Sequence, residues 1–497
     1  MKPLAALLLL SSIGYAADRR ASFNDGWKFS KGDLTGAEKP DLNDSGWRTL
    51  NLPHDWAIEG PFDVKNNPNT GGLPISGTGW YRKHFTPPTT VDRYYSLEFD
   101  GAMSNSTVFV NGQAAGGRPY GYSSFSIDLT ALLKRGLDNV IAVRLKPEEQ
   151  SSRWYPGAGI YRNVWLVTTG AVHVAHWGTQ ITTPGADTVV VKTELRNRGT
   201  QPSQVTLETA ILDSRGTQVA VDRSQQALAP NASRLFEAKV KLSNAHLWDI
   251  DDPYLYSAVT TVRAGKEVLD RYVTSFGVRT FEFSRERGFV LNGRVRKLNG
   301  VCNHHDLGAL GAAVNRRATE RQLEIMKSMG VNAIRTSHNP PSPELLEACD
   351  RMGLVVMDEA FDMWRIPKVK NGASKFFDEW GERDLRDMIR RDRNHPSIVL
   401  WSIGNEIPEQ KKSDGWELAK FLTNIAHQED STRPTTSAFN DALDAIKNEL
   451  AEYVDVPGFN YKPGLYAEIQ KNHPKWAIYG SETASCVSSR GVYELPM

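Results

Sequence analysis

The stretch VNAIRTSHNPPSPELLEACDRMGLVVMDE, residues 331–359, decides the fold. Val331-Asn-Ala-Ile-Arg335 reads as a short strand running into a polar loop. Ser342 stands as a helix N-cap, with Pro343 at the first helical position. Leu345, Cys349 and Met352 form the apolar stripe, and Gly353 marks the stop. Leu354-Val-Val-Met357 is a second strand, which runs out into Asp358-Glu359. A strand, a capped helix and a strand of this length make a βαβ unit, whose two strands pair in parallel.

The unit repeats on both sides. Upstream, Val295 to Val301 reads as a strand. Thr319 to Met329 reads as a helix with Leu323, Met326 and Met329 on one stripe. Downstream, Glu382 to Arg393 is helical with Leu385, Met388 and Ile389 inward, and Ser397 to Trp401 is a strand. Trp416 to His427 is a helix, Thr435 to Phe439 a strand, and a helix follows near Ala442 to Leu450. Val454 to Asn460 and Lys475 to Gly480 are the sixth and seventh strands. Repeats of this length predict a (β/α)8-type TIM barrel over residues 283–497. The count stops at seven strands. Only 15 residues follow Glu482, too few for a helix and another strand, so the barrel is expected to be truncated after strand 7.

Ahead of the barrel the texture is all β. In residues 18–170, runs such as Tyr95 to Phe99, Thr107 to Val110 and Asn139 to Leu145 sit between turns at Asp100-Gly101, Asn111-Gly112 and Gly136, which predicts a jelly-roll β-sandwich. In residues 171–282, Val205, Leu207, Thr209 and Ile211 alternate with polar neighbours. Phe236, Ala238, Val240 and Leu242 do the same, giving an immunoglobulin-like β-sandwich with one wet face. Residues 1–17 hold Lys2, the apolar run Leu4 to Leu10 and the small pair Ala16-Ala17. That is the pattern of a signal peptide, with a core too short to span a bilayer, and it predicts a secreted or periplasmic protein.

Composition narrows the partners. Of 497 residues, 40% are hydrophobic and 24% charged, with a net charge of +1. That balance suits a folded chain and advertises neither nucleic acid nor a membrane surface. The 13 Trp and 16 Tyr fill cores or form flat platforms for sugar rings, and composition does not separate those uses. Cys302, Cys349 and Cys486 are an odd set with no C-x-x-C, so no disulfide framework is expected and the thiols read as small buried hydrophobes. Asn43-Asp-Ser, Asn105-Ser-Thr and Asn231-Ala-Ser are glycosylation sequons, meaningful only in a eukaryotic secretory route.

In a barrel of this kind the working residues lie where strands end and the following loops begin. Here six strand ends carry polar clusters: Asn303-His-His-Asp306, Arg335-Thr-Ser-His-Asn339, Asp358-Glu359, Asn405-Glu406, Asn460-Tyr461 and Ser481-Glu482. Glu406 and Glu482, from strands four and seven, would project into one cup. Two carboxylates facing a glycosidic bond are the minimal equipment for glycoside hydrolysis: one donates a proton to the leaving oxygen and the other attacks the anomeric carbon. Arg335 fits an ion-pair anchor that holds a glutamate charged. His304, His305, His338 and Asp306 could also ligate a metal, but they show no metal-ligand spacing, and sugar-hydroxyl contact or core hydrogen bonding is the favoured reading.

At these residues the sequence resembles glycoside hydrolase family 2. The resemblance rests on Asn332-Ala-Ile-Arg-Thr-Ser-His-Asn-Pro340, on Asp392-Arg-Asn-His-Pro-Ser-Ile-Val-Leu-Trp-Ser-Ile-Gly-Asn-Glu406 and on Ile478-Tyr-Gly-Ser-Glu482. Gly79-Trp-Tyr-Arg82 and Gly159-Ile-Tyr-Arg-Asn-Val164 match the family's jelly-roll domain. Gly300 to Asp306 and Asp358 to Asp362 look most like the β-galactosidases. The resemblance implies a retaining exo-glycosidase acting on β-linked galactosides, with Glu406 as acid/base and Glu482 as nucleophile. It implies that Asn405 binds the hydroxyl beside the anomeric carbon, that Tyr461 tunes the nucleophile, and that His304 and His338 line the sugar pocket. Some members hold magnesium just beyond strand three. Here that stretch reads Asp362-Met-Trp-Arg365, so no metal and no other cofactor is expected. β-Glucuronidase and β-mannosidase compete within the family. A non-catalytic carbohydrate-binding protein and, more weakly, an adhesion protein compete from outside it. Oligomeric state is not legible.

Overall fold

The computed structural model describes residues 19–90 and 92–484. The leader expected at residues 1–17 and Cys486 lie outside them.

The first domain is an antiparallel sandwich. Its six-stranded sheet runs Arg48–Leu50, Trp27–Lys31, Gly79–Phe85, Asn139–Leu145, Ser106–Val110, Gln113–Arg118. The four-stranded sheet opposite runs Arg20–Ser22, Val164–Thr169, Tyr94–Phe99, Phe125–Asp128. Tyr95, Leu97 and Phe99 point inward at every second position and meet Trp27, Tyr81, Ile141 and Val143 in one core. The tryptophans divide between two uses. Trp27, Trp56 and Trp80 are buried, whereas Trp154 packs at the barrel face.

The second sandwich sets three strands (Val172–Thr182, Thr188–Asn197, Ala232–Lys241) against four (Gln218–Leu228, Ser203–Leu212, Tyr256–Ala264, Glu267–Phe276). Val205, Leu207, Thr209 and Ile211 are buried, as are Phe236, Ala238 and Val240, while Glu237, Lys239 and Lys241 stay exposed.

A small three-stranded meander, Phe281–Ser284, Gly288–Leu291 and Arg294–Val295, then floors the barrel. Its Phe289 and Leu291 pack against Val355, Val399, Leu400 and Val456. The barrel strands are β1 (Gly300–Asn303), β2 (Ala333–Thr336), β3 (Val355–Glu359), β4 (Ile398–Asn405), β5 (Thr435–Phe439), β6 (Gly458–Asn460) and β7 (Tyr479–Glu482), all parallel and adjacent in chain order. The helices are α1 (Arg316–Ser328), α2 (Pro343–Met352), α3 (Phe377–Asp392), α4 (Gly415–Glu429), α5 (Ala442–Lys447) and α6 (Tyr466–Asn472). Strands β1 and β7 face each other: the Cys302 thiol donates to the Ser481 carbonyl at 3.4 Å. The barrel is therefore nearly closed with seven strands among the described residues.

Helix α2 shows local sequence fixing local structure. Ser342 Oγ accepts from the Leu345 N–H, and Gly353 ends the helix at φ 70° with its N–H on the Cys349 carbonyl. A Cβ on Gly353 would stand 2.1 Å from the Ile250 carbonyl oxygen, so both conformation and space exclude a side chain there.

Four expectations need correction. Val295 to Val301 is not one strand: Val295 belongs to the floor meander and β1 starts at Gly300. The seventh strand is Tyr479–Glu482 rather than Lys475 to Gly480, and α6 precedes it. Met329 caps α1 and is exposed, so it is no part of the inward stripe. Cys302, on the outermost strand β1, is exposed, while Cys349 is buried. Among the described residues no helix is long and apolar enough to cross a membrane.

Candidate active site

The site forms where β2, β3, β4, β6 and β7 end, and Arg335 is its hub. The guanidinium is buried and donates to both Glu359 oxygens at 2.8–3.0 Å, to Asn405 Oδ1 at 2.8 Å and to Glu482 Oε1 at 2.6 Å. His338 Nδ1 lies 2.6 Å from Glu359, and Ser402 Oγ donates to it at 2.6 Å. Burial alone would push the Glu359 carboxyl up, but Arg335, His338 and Ser402 outweigh it and hold Glu359 at about 2.

Glu482 is shared between three partners. Arg335 takes Oε1, the Tyr461 phenol donates to Oε2, and His338 Nε2 stands 3.9 Å away. Burial pushes this carboxyl up, but the Arg335 charge and the Tyr461 hydroxyl overcome it and keep the carboxyl below its ordinary value. Burial and Glu482 in turn raise the Tyr461 phenol, which therefore stays a donor.

Glu406 sits differently. Its Oε1 accepts from Asn460 Nδ2 at 3.0 Å, and Arg153 Nη1 is 3.9 Å from Oε2. Asn460 Oδ1 accepts from Ser481 Oγ at 2.6 Å. Two hydrogen bonds thus tie Glu406 to the residue preceding Glu482, and both carboxylates meet at the end of the β6–β7 pair, where Asn460 stands opposite Glu482. Glu406 and Tyr461 both have left-handed backbone, at φ 43° and 57°. Each is the first residue past a barrel strand. That conformation costs about 1–3 kcal/mol for a residue with a side chain, and it turns the group out of the strand into the cup.

Asn405 is fully buried. Its Oδ1 accepts from Arg335 and its Nδ2 donates to Asp362 at 3.0 Å, which leaves the second amide hydrogen for a ligand. His304 stacks at 4.9 Å from Trp154 and 5.5 Å from His338. Burial and His338 push it down to about 4, so it is neutral, and its Nδ1 is buried without a partner. His305 lies below the cup: its Nε2 is 3.2 Å from the Pro156 carbonyl, and burial pushes it down to about 3.

The seven residues singled out from sequence, Glu406, Glu482, Asn405, His304, His338, Tyr461 and Arg335, therefore converge on one cup. Sequence reading missed four others. Arg153 and Trp154 reach in from the jelly roll, and Arg153 forks onto Asp362 at 2.9 and 2.5 Å. Lys368 donates to Asp362 at 2.9 Å and to the Asn405 carbonyl at 2.7 Å. Asn460, the bridge, was noted only as a strand end. The one available signal for the jelly-roll pair was a tryptophan outside the alternating strands. Asp362 does not fit a divalent cation, because Arg153, Lys368 and Asn405 already occupy its oxygens. Among the described residues no group of three or more His, Cys, Asp or Glu side chains is arranged to hold a metal.

Two carboxylates at the strand ends of a parallel barrel, with flanking sandwiches, define the class: a glycoside-hydrolase scaffold. Comparison with known proteins narrows it. Residues 284–484 match the model for "Glycosyl hydrolases family 2, TIM barrel domain", and residues 172–279 match that for "Glycosyl hydrolases family 2". The chain belongs to glycoside hydrolase family 2. It is 45% identical to the β-galactosidase BoGH2A of Bacteroides ovatus, over 96% of this chain and 60% of that protein. A crystal structure of a family 2 member from Bacteroides cellulosilyticus superposes with a TM-score of 0.90 at 40% identity, covering 93% of this chain and 61% of that one. A β-glucuronidase of Bacteroides uniformis superposes with a TM-score of 0.82 at 29% identity, over 93% of this chain and 59% of that one. The chain thus spans about 60% of the length of these relatives.

Proposed function

We propose that this chain carries the catalytic pair of an exported retaining β-galactosidase. Glu482 attacks the anomeric carbon while Glu406 gives its proton to the leaving oxygen. The glycosyl–Glu482 ester then forms, and water displaces it as Glu406 takes the water's proton. The observation that carries this reading is the asymmetry of the two carboxylates. Glu482 is held ionised by Arg335 and Tyr461, as a nucleophile must be. Glu406 instead accepts from the Asn460 amide, with the Arg153 guanidinium 3.9 Å away. Asn405, His304 and His338 then supply hydrogen bonds to sugar hydroxyls.

A neutral sugar also suits the charges. Arg335, Arg153 and Lys368 each donate to a carboxylate already, so none of these cations is free for a uronate. The second reading, a β-glucuronidase, is favoured by the named B. uniformis relative. The test is nitrophenol release from the β-galactoside and the β-glucuronide. Turnover of the galactoside is expected, abolished in Glu482→Ala and partly restored by azide in Glu406→Ala. Preference for the glucuronide would select the second reading, and binding without turnover of either would mark a non-catalytic sugar-binding protein.

A further inference from the structure

At the opposite end of the barrel from the cup stands a buried cation that makes no ion pair among the described residues. Arg279 follows the last strand of the second sandwich, in Phe276-Gly-Val-Arg279, and is only 9% exposed. Its Nη2 donates to the Ile398 carbonyl at 2.6 Å. Ile398 opens β4, so Arg279 lies at the N-terminal, non-catalytic face of the sheet. Its Nε is buried with no partner, and among the described residues no carboxylate pairs with it. The nearby cation, Arg433, is already engaged: it donates to Asp430 at 2.5 Å and to the Ile398 and His395 carbonyls at 2.9 Å. The Phe281 ring lies 4.9 Å from the Arg279 guanidinium, and the Asp430 and Asp350 carboxylates act on it from beyond ion-pair distance, each engaged with another partner, Arg433 or His395.

Both arginines line a cleft of about 420 Å3 between the second sandwich and the barrel floor. Thr182, Thr183, Gly185, Asn394 and Thr432 also line it. Burial and the Arg433 charge outweigh the more distant Asp430 and Asp350 carboxylates and push Arg279 well below its ordinary value, the reverse of what a direct ion pair does to an arginine. Burying an unpaired charge is costly, and proteins compensate it with a counter-charge or a bound ion.

We propose that this cleft binds a small inorganic oxyanion, phosphate or sulfate, through the Arg279 guanidinium. A guanidinium offers several N–H donors in one plane, which match two oxygens of a tetrahedral anion better than a spherical halide. The bound anion would join the loop at residues 183–185 to the barrel floor, and so fasten the second sandwich to the catalytic domain. The site is independent of the assignment of Glu406 and Glu482.

The test is thermal unfolding of the full chain in sodium phosphate, sodium sulfate and sodium chloride at matched ionic strength. The midpoint is expected to rise with the logarithm of oxyanion concentration, as for a ligand bound only by the folded state, and not with chloride. Arg279→Met should unfold alike in all three salts, and Arg279→Lys should retain part of the effect. The arm that protects, phosphate or sulfate, names the ion. An equal rise in wild type and Arg279→Met would reflect general exclusion of these salts from protein surfaces and would overturn the site. Because Arg279→Met could fail to fold, wild-type crystals soaked in selenate give a second readout. An anomalous peak beside Arg279 supports the proposal, and its absence there rejects it.

Discussion

Replacing Arg335 by Met should destabilise the protein in a pH-dependent way. Arg335 is buried against a fully buried Glu359, so solvent does not screen the pair. Holding the Glu359 carboxyl at about 2, against an ordinary value of 4.5, is worth about 3 kcal/mol at neutral pH. His338 and Ser402 contribute part of that. Removing Arg335 also leaves a buried charge unpaired, which typically costs about 3–5 kcal/mol. The first route puts the Arg335 share somewhat below about 3 kcal/mol and the second at about 3–5 kcal/mol, so a loss of about 3 kcal/mol is expected. The sign follows from the depressed value: the stabilisation is fully present above about 4.5 and disappears as pH falls toward 2. In the variant burial dominates, Glu359 binds a proton on folding, and the deficit is largest at pH 7. Urea unfolding followed by tryptophan fluorescence at pH 7 and pH 4 measures it. A second substitution, Glu359→Gln in the Arg335→Met background, should recover more than half of the loss, because the unpaired charge is gone. A deficit below about 1 kcal/mol, a deficit equal at both pH values, or no recovery in the double variant would refute the hub.

Tyr461→Phe should lower turnover of a nitrophenyl β-galactoside about 10- to 100-fold, the worth of one hydrogen bond to a charged group; losing that donor raises the Glu482 carboxyl, so the acid limb of the rate profile should move to higher pH, and an unmoved limb counts against Tyr461 as its partner. His304→Ala should raise KM about 3- to 10-fold with little change in kcat, the worth of one neutral hydrogen bond; because burial holds His304 at about 4, the KM ratio to wild type should be flat between pH 6 and 8, and a ratio that varied there would show a charged imidazole. Gly353→Ala should cost more than about 1 kcal/mol in urea unfolding, since its Cβ would strike the Ile250 carbonyl at 2.1 Å; a neutral result would mean the helix end can shift.

The fold was legible where local chemistry repeats itself. Ser342, Pro343 and Gly353 punctuate α2 because caps act within one turn, and β5 falls at Thr435–Phe439 because flanking loops bound it on both sides. Strand ends were illegible for a physical reason. Strand β7 is Tyr479-Gly-Ser-Glu482, half polar, because its last residues serve the cup rather than the core. The apolar residues just before it, Trp476 and Ile478, pack against the barrel core without being in the strand. At Trp476 and Ile478 hydropathy followed burial, and burial and strand pairing part company. Val295 misled in the opposite way: its side chain is 60% exposed, and only the floor meander, which no period reveals, gives it a strand.

The site divides along the same line. Groups that a strand carries to its own end, Arg335, Asn405, Glu406 and Glu482, announce themselves because position along a parallel strand already fixes position in the barrel. Groups that arrive through space do not. Arg153 meets Asp362 across 209 residues of chain, and no spacing rule links a sandwich loop to a barrel strand. Yet that contact reaches the hub of the cup. With Lys368 it neutralises Asp362, Asp362 holds the Asn405 amide, and Asn405 in turn accepts from the hub Arg335. The jelly roll is therefore a wall of the pocket and part of its electrostatics. Tyr120 on the Ala360 carbonyl and Arg162 on the Pro340 and Pro341 carbonyls hold it there. It follows that a barrel cut free of residues 19–170 would keep both glutamates and lose the cation that faces one of them.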